Sequence, residues 1–477
     1  MSPRILPPTT TIRPVPSASA VRVRRTVLPR YVFGPKPKRR TELGLLLFGA
    51  LPVVALYVIA VLGQKSKVPD NIGVFLGVVL GLALCAHMAN RWLAPNANAV
   101  ILPLAVFLNG LGYVVIARWD PGQAQGQAAW AALGIGLYVL TLLLVRYSRD
   151  LERYRYLLLL VAGIFLVVPL FFSPIGGARL WVHVGSLSFQ PIEFSKILLC
   201  IYFASYFAEN KEMLTIPTAQ LGNRLILDPR PLIPILVAWG AAMAVIGLED
   251  DIGFAALLFV LFIGLLWVAT GRVGYLVLGL VLFGVGAYVA ARYFGQVHLR
   301  VEQWQNPWPS TAKPGITQLA EAQYSLGTGG VGGTGLGFDH YAGYIFGLTS
   351  DMVFAAIGTE MGLVGCVAVV MAFILLVGSG FRVAQTARSD FSRLMATGLT
   401  LILGFQAFFI MAGVVRLLPF TGITLPFVAY GGSSLLANYV LIALMLRISD
   451  EGAVAQAAMI AAGSAGGPGE SPMVPAR

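Results

Sequence analysis

The chain has 477 residues, 57% of them hydrophobic and only 11% charged, and its 33 Lys and Arg against 21 Asp and Glu leave a net charge of +12. So apolar a composition, with long hydrophobic runs repeated from Leu43 to Leu446, excludes a soluble globular domain and leaves a polytopic membrane protein. The runs lack the two-residue alternation of a membrane barrel, so the class is all-α; the basic excess reads as a membrane-surface property, with membrane lipids and no nucleic acid as partners.

Residues 1–42 are rich in Pro, Ser and Arg and contain no apolar h-region, so they read as a disordered basic tail and not as a cleaved signal peptide. Arg22, Arg24, Arg25, Arg30, Lys36, Lys38, Arg39 and Arg40 against the single acid Glu42 place this tail in the cytoplasm, where anionic lipid attracts it. Residues 43–150 then hold N-terminal transmembrane helices at Leu43–Leu62, Ile72–Ala89, Ala99–Ala117 and Ala128–Val145. Alternate counting returns the loop with Arg146, Arg149, Arg153 and Arg155 to the inside, in agreement with its charge.

After Tyr156–Phe172 comes the first polar constellation, Gly177–Trp181 followed by Ser188–Lys196, on the outer face. Pro191 suits the first turn of a helix, and Glu193 and Lys196 three residues apart share one face of it. The pair either pins helices together or helps hold a diphosphate; Arg179, with its planar fork, is the better phosphate ligand. The next helices are Ile192–Phe207 and Leu232–Leu248, then Glu249-Asp250-Asp251 opens the apolar run Ile252–Thr270. Helix capping accounts for acids in that position, and a divalent cation is the alternative, with Asp251 as a ligand.

Beyond Val273–Ala291, residues 293–351 form a large outer loop with Arg300 near its start and the glycine run Gly327–Gly337, whose backbone amides are expected to approach a bulky ligand. No Gly-Lys-Ser/Thr follows, so it is not a phosphate-binding P-loop. The loop ends in Thr349-Ser350-Asp351, a carboxylate at the mouth of the apolar run Met352–Phe381, where it is costly to keep unless used. Phe391–Val415 follows an inner loop with Arg382, Arg388 and Arg393, and Pro419–Ser434 puts Pro and paired Gly where a broken helix is expected. Leu425–Leu446 is the last of about twelve helices. The Ala- and Gly-rich residues 450–477 read as a disordered cytoplasmic tail, and Cys85, Cys200 and Cys366 have no disulfide or metal spacing.

Four blocks in this order resemble the SEDS family (shape, elongation, division and sporulation). Gly177–Trp181 matches its Asn-Gly-Ala-Arg-Arg-Trp turn, Gln190–Lys196 its Gln-Pro-Ser-Glu-Phe-x-Lys helix start, and Glu249–Gly253 its Gln-Pro-Asp-Leu-Gly corner. Leu425–Ser434 matches Leu-Pro-Phe-Val-Ser-Tyr-Gly-Gly-Ser-Ser, and Thr349–Phe354 matches His-Thr-Asp-Phe-Ile-Phe. The departures are Thr349 for His, Ala429 for Ser, Glu249-Asp250 for Gln-Pro, and Glu321 for a Gln ahead of the glycine run.

The resemblance implies a catalytic membrane core at residues 151–449, within a family core of ten helices plus two N-terminal ones, in a multi-pass protein of the cell membrane with both termini cytoplasmic. It implies a glycosyltransferase that polymerises peptidoglycan from lipid II at the outer face, with a class B penicillin-binding protein transpeptidase as partner. Asp351 is then the base, or the ligand of Mg or Mn together with Asp251. Arg179, Lys196 and Arg300 are the diphosphate ligands, with Glu193, Gln190, Ser433 and Ser434 around them. The Val415–Pro419 loop and the extra helices look like the RodA-type, elongation branch of actinobacteria; an FtsW-like division polymerase, a lipid flippase and a non-catalytic scaffold are the alternatives.

Overall fold

A backbone in a medium without water has to satisfy its own N–H and C=O groups, and this chain does so almost entirely with helices. The computed structural model describes residues 39–65, 72–173, 179–185, 187–215, 219–221, 224–226, 230–249, 251–308, 317–338 and 342–465. The N-terminal tail to residue 38, Gly177, Asp250 and the tail from residue 466 lie outside the described residues.

Each of the twelve expected apolar runs falls on a helix. They are α1 (Arg39–Lys65), α2 (Ile72–Leu93), α3 (Ile101–Trp119) and α4 (Pro121–Leu144), then, after the short α5 (Ser148–Arg153), α6 (Arg155–Val167) and α7 (Ile192–Glu209). Past the short α8 (Lys211–Thr215) come α9 (Ile233–Leu248), α10 (Ile252–Thr270) and α11 (Val273–Tyr293). Two helices sit inside the large loop, α12 (Gly295–Gln305) and α13 (Gln318–Gly329), and α14 (Val353–Thr386), α15 (Asp390–Val414) and α16 (Gly432–Ala465) complete the set. Eight described helices are long and apolar enough to cross a bilayer, and α2, α6 and α9 supply shorter apolar stretches. Two three-residue antiparallel hairpins, Val182–Val184 with Leu187–Phe189 and Ala219–Leu221 with Arg224–Ile226, are the only strands among the described residues.

The last helix departs from expectation at both ends. It starts at Gly432 rather than Leu425, because Phe427 takes a positive φ of 64° just after Pro426, and it runs on to Ala465 through residues read as a disordered tail. Alanine, the strongest helix former, is dense there. At the other terminus, Arg39–Glu42 belong to the first turn of α1 and not to the tail, with Glu42 at the positive end of the helix dipole.

Because successive helices reverse direction, their connections gather at two rims. One rim carries the α3–α4, α6–α7, α9–α10, α11–α14 and α15–α16 connections and is called here the site rim. The first half of α16 is almost wholly buried and packs against α4 and α14, whereas α11 is almost wholly exposed. At the opposite rim Arg447 of α16 donates to the carbonyls of Leu93, Leu142 and Val145, answering the free C-terminal ends of α2 and α4 with one guanidinium. Ser148 and Asn96 bond Glu451 and Asp450 beside it.

The glycine run behaves differently from its expected role. Gly329 lies against the Gly358 carbonyl, Gly333 against that of Glu360 and Gly337 against that of Ala60, each too close for a Cβ. Thr334 N donates to Thr359 O (2.9 Å), and Leu363 N donates back to Gly330 O (3.0 Å) across a kink in α14 at Gly362, where φ is 64° and ψ −162°. At these three glycines the close approach is made to α14 and α1. A buried ion pair, Arg118–Glu360 at 2.9 Å, ties α3 to the same kink.

Gly362→Ala puts a Cβ into the backbone of Val331 and Gly333 in a conformation that costs a side chain about 1–3 kcal/mol, so the detergent-solubilised variant is expected to melt well below wild type. Gly136→Ala in α4, with open space around it, is expected to hold or raise the melting temperature.

Candidate active site

Asp351 stands just ahead of α14 in a tight turn whose geometry is set by Gly347. Ser350 N and Met352 N both donate to Gly347 O at 3.0 Å, and Gly347 has a φ of 71°. A Cβ at Gly347 would strike Asp351 Oδ1, so glycine makes room for the carboxylate. Ser350 Oγ donates to Asp351 Oδ1 (2.9 Å). Burial raises the Asp351 pKa above the ordinary carboxylate range, opposed by that bond, by Arg300 and by Gln318. The turn is fixed from outside as well: Thr349 Oγ1 donates to Gln123 Oε1 (2.7 Å), and Tyr430 N donates to Thr349 O (2.7 Å).

Arg300, from α12, reaches the same place. Its Nη1 donates to Thr421 O (2.5 Å), and it lies in the fields of both Asp251 and Asp351. Desolvation lowers its pKa, the sign expected for a cation drawn out of water. Asp251 is buried at the N-cap of α10, accepting from Phe254 N (3.0 Å), so the capping role is realised. Burial lifts its pKa to about 6. Glu249, the C-cap of α9, is wholly buried, and both its carboxylate oxygens lack a hydrogen-bond partner among the described residues; burial, then the neighbouring Asp251, raise its pKa to about 8. Arg179 N donates to Glu249 O (3.3 Å), which sets its exposed side chain at this corner, where it makes a long bond to Leu170 O (3.4 Å).

The remaining expected residues make contacts between elements. Lys196 bonds Glu193 and, at 2.6 Å, Gln406 Oε1, and its ammonium faces the Phe254 ring. Both charges are almost fully buried. Two of the three Lys196 donors are taken by these bonds, and the pair joins α7 to α15. Gln190 N donates to Ser433 Oγ (2.9 Å), and Ser434 Oγ accepts from Thr424 and Asn438. Ser434 thereby fastens the non-helical segment 415–431 at Thr424, and carbonyls of that segment receive Arg300 at Thr421 and Gln406 at Thr424 (3.1 Å).

The expected metal ligands fit poorly. No group of three or more His, Cys, Asp or Glu able to hold a metal exists among the described residues, and Asp251 already spends an oxygen on its helix cap. Arg300 supplies positive charge near both acids instead. Sequence reasoning missed Gln318, Gln123 and Ser350, neutral side chains that carry no signal of their own. It also missed Glu360, for which a lone acid inside an apolar run was the available sign.

Residues 99–453 match the profile of the cell cycle protein family FTSW_RODA_SPOVE, so α1 and α2 lie outside the matched segment. Over 440 residues the chain is 36% identical to a Mycobacterium tuberculosis (strain H37Rv) protein named peptidoglycan glycosyltransferase RodA, covering 89% of this chain and 93% of that one. A Geobacter sp. (strain M18) protein named probable peptidoglycan glycosyltransferase FtsW is 33% identical over 61% of this chain and 77% of its own. Among solved structures, a chain from work described as structural coordination of polymerization and crosslinking by a peptidoglycan synthase complex shares the fold. It has a TM-score of 0.60 and 24% identity, over 75% of this chain and 98% of that one.

Two measurements test the site. Glu193→Ala or Lys196→Ala alone leaves a buried charge uncompensated, a loss of about 3–5 kcal/mol, and the double variant is expected to lose less than the sum; strict additivity would show that the two do not interact. For pH, both Asp251 and Glu249 have folded-state pKa values above their unfolded ones. Their contribution to stability is then full below about pH 4 and lost as pH rises through about 6 and about 8. Between pH 6 and 9 the melting temperature of wild type is expected to fall further than that of Glu249→Gln.

Proposed function

The chain belongs to the cell cycle protein family of FtsW, RodA and SpoVE, and on that premise we propose that it polymerises peptidoglycan glycan strands from lipid II in the manner of RodA. It is a multi-pass membrane glycosyltransferase of cell-wall synthesis and cell shape. The RodA relatives are 35–36% identical over 87–89% of the chain and the FtsW ones 28–33% over 61–74%, which favours the elongation role.

The observation that carries the chemistry is the built seat of Asp351: a carboxylate held by Ser350 and a glycine turn, with an arginine in its field. In the proposed step the acceptor sugar hydroxyl gives its proton to Asp351, and its oxygen forms a bond to the anomeric carbon of the donor. The bond from that carbon to the diphosphate breaks, and undecaprenyl diphosphate leaves with the electron pair. A carboxylate whose pKa lies above the ordinary range is the stronger base for this transfer. Charge growing on the leaving diphosphate falls to Arg300 and Arg179, of which Arg179 is exposed. The lipid chain is assigned to an apolar groove of about 540 Å³ between α6, α7 and α9, lined by Leu159, Gly163, Val167, Leu199 and Ala238.

The orientation proposed puts the site rim outside the cell, since Arg146, Arg149, Arg153, Arg382, Arg388 and Arg393 collect at the opposite rim. A class B penicillin-binding protein is the proposed partner, which would crosslink the strands made here. The test is purified protein given fluorescent lipid II, with and without that partner, and scored for glycan ladders. Asp351→Asn keeps size and hydrogen bonding but removes the base, so polymer is expected to fall by about 10²–10⁴-fold while the protein stays folded. Ladders near wild-type yield from folded Asp351→Asn would overturn the assignment, and no ladders from wild type would favour a flippase.

A further inference from the structure

The two helices outside the family match build a cavity of their own at the rim opposite Asp351. It holds about 430 Å³ and is lined by Arg39 and Arg40 at the start of α1, by Leu43, and by His87 and Arg91 of α2. Its floor is neutral and already satisfied. Arg39 bonds Glu42 and the carbonyls of Ala94 and Pro95, and the wholly buried Glu42 also bonds His87 Nδ1 (2.8 Å) and Asn90. Arg40 and Arg91 are exposed and form no ion pair with any described residue. Two uncompensated guanidinium groups therefore face one cavity, next to the positive end of a 27-residue helix.

We propose that this cavity binds the phosphate of an anionic phospholipid. Fork-shaped donors on both sides suit a phosphodiester, and helix-flanking arginines at the membrane surface favour acidic headgroups. The apolar surface below the cavity selects the lipid over a free anion. Leu43, Leu47 and Leu51, four residues apart on α1, are 37%, 56% and 70% exposed and continue one face from the cavity along the helix, where acyl chains would lie. The site is remote from Asp351, so the proposal rests on membrane insertion and not on the polymerase reading.

The test is native mass spectrometry of the full-length protein in an uncharged detergent, titrated with phosphatidylglycerol or with phosphatidylcholine of the same chains. Wild type is expected to retain phosphatidylglycerol about tenfold more tightly, and Arg40→Gln/Arg91→Gln to bind both lipids alike. If the double variant does not fold, Arg91→Gln alone is expected to lose part of the preference, and Arg91→Lys to keep most of it. Equal retention of the two lipids by wild type, or an undiminished preference in a folded double variant, overturns the proposal. So does displacement of phosphatidylglycerol by millimolar inorganic phosphate, which would make the cavity a free-phosphate site.

Discussion

The arrangement depends on one constraint: a non-helical backbone next to a bilayer must find a partner for every group the helix would have satisfied. Residues 415–431 break the chain between α15 and α16, and side chains from α12, α15 and α4 and a main-chain carbonyl of the loop before α14 come to meet them. Arg300 takes Thr421, Gln406 takes Thr424, Gln127 reaches Ala429, and Tyr430 donates its amide to Thr349. These bonds assemble the rim. The segment that carries Asp351 is held on one side by this irregular stretch and on the other by α4, through Gln123. A rigid seat for a carboxylate follows from the need to satisfy a broken helix.

Charge is managed by the same economy of water. The Glu193–Lys196 pair is buried but closed, neutral as a unit and capped by Gln406, so it fixes helix positions without inviting a ligand. Asp351, Arg300 and Arg179 keep more freedom. Glu249 is the exception, a fully buried acid with no hydrogen-bond partner among the described residues, where the neutral acid is the cheaper state. In its protonated form it is nearly isosteric with glutamine.

The twelve helices were legible in the sequence because in a bilayer length and apolarity decide nearly everything, and Asp351 because an acid at a helix mouth is expensive. Other features depended on partners far along the chain. Composition announces that the backbone of Gly329–Gly337 comes close to something, but whether that is a sugar or the kink of α14 is settled by Gly362 and Glu360, more than twenty residues on. The pairing of Lys196 with Glu193 was legible from their spacing, but its second partner, Gln406, was not, because it lies 210 positions away. The end of the last helix was misjudged because the alanines past Gly452 were read for low complexity rather than for helix propensity.

Arg447 and Tyr430 sit in or just before α16, the helix made after every other one described. During synthesis the C-terminal ends of α2 and α4 wait for Arg447, and the turn bearing Asp351 waits for Tyr430. A nascent chain halted after α15 would hold the acid without its clasp. Its unanswered carbonyls would be open to membrane quality control, so the ability to build wall and the completion of the chain arrive together.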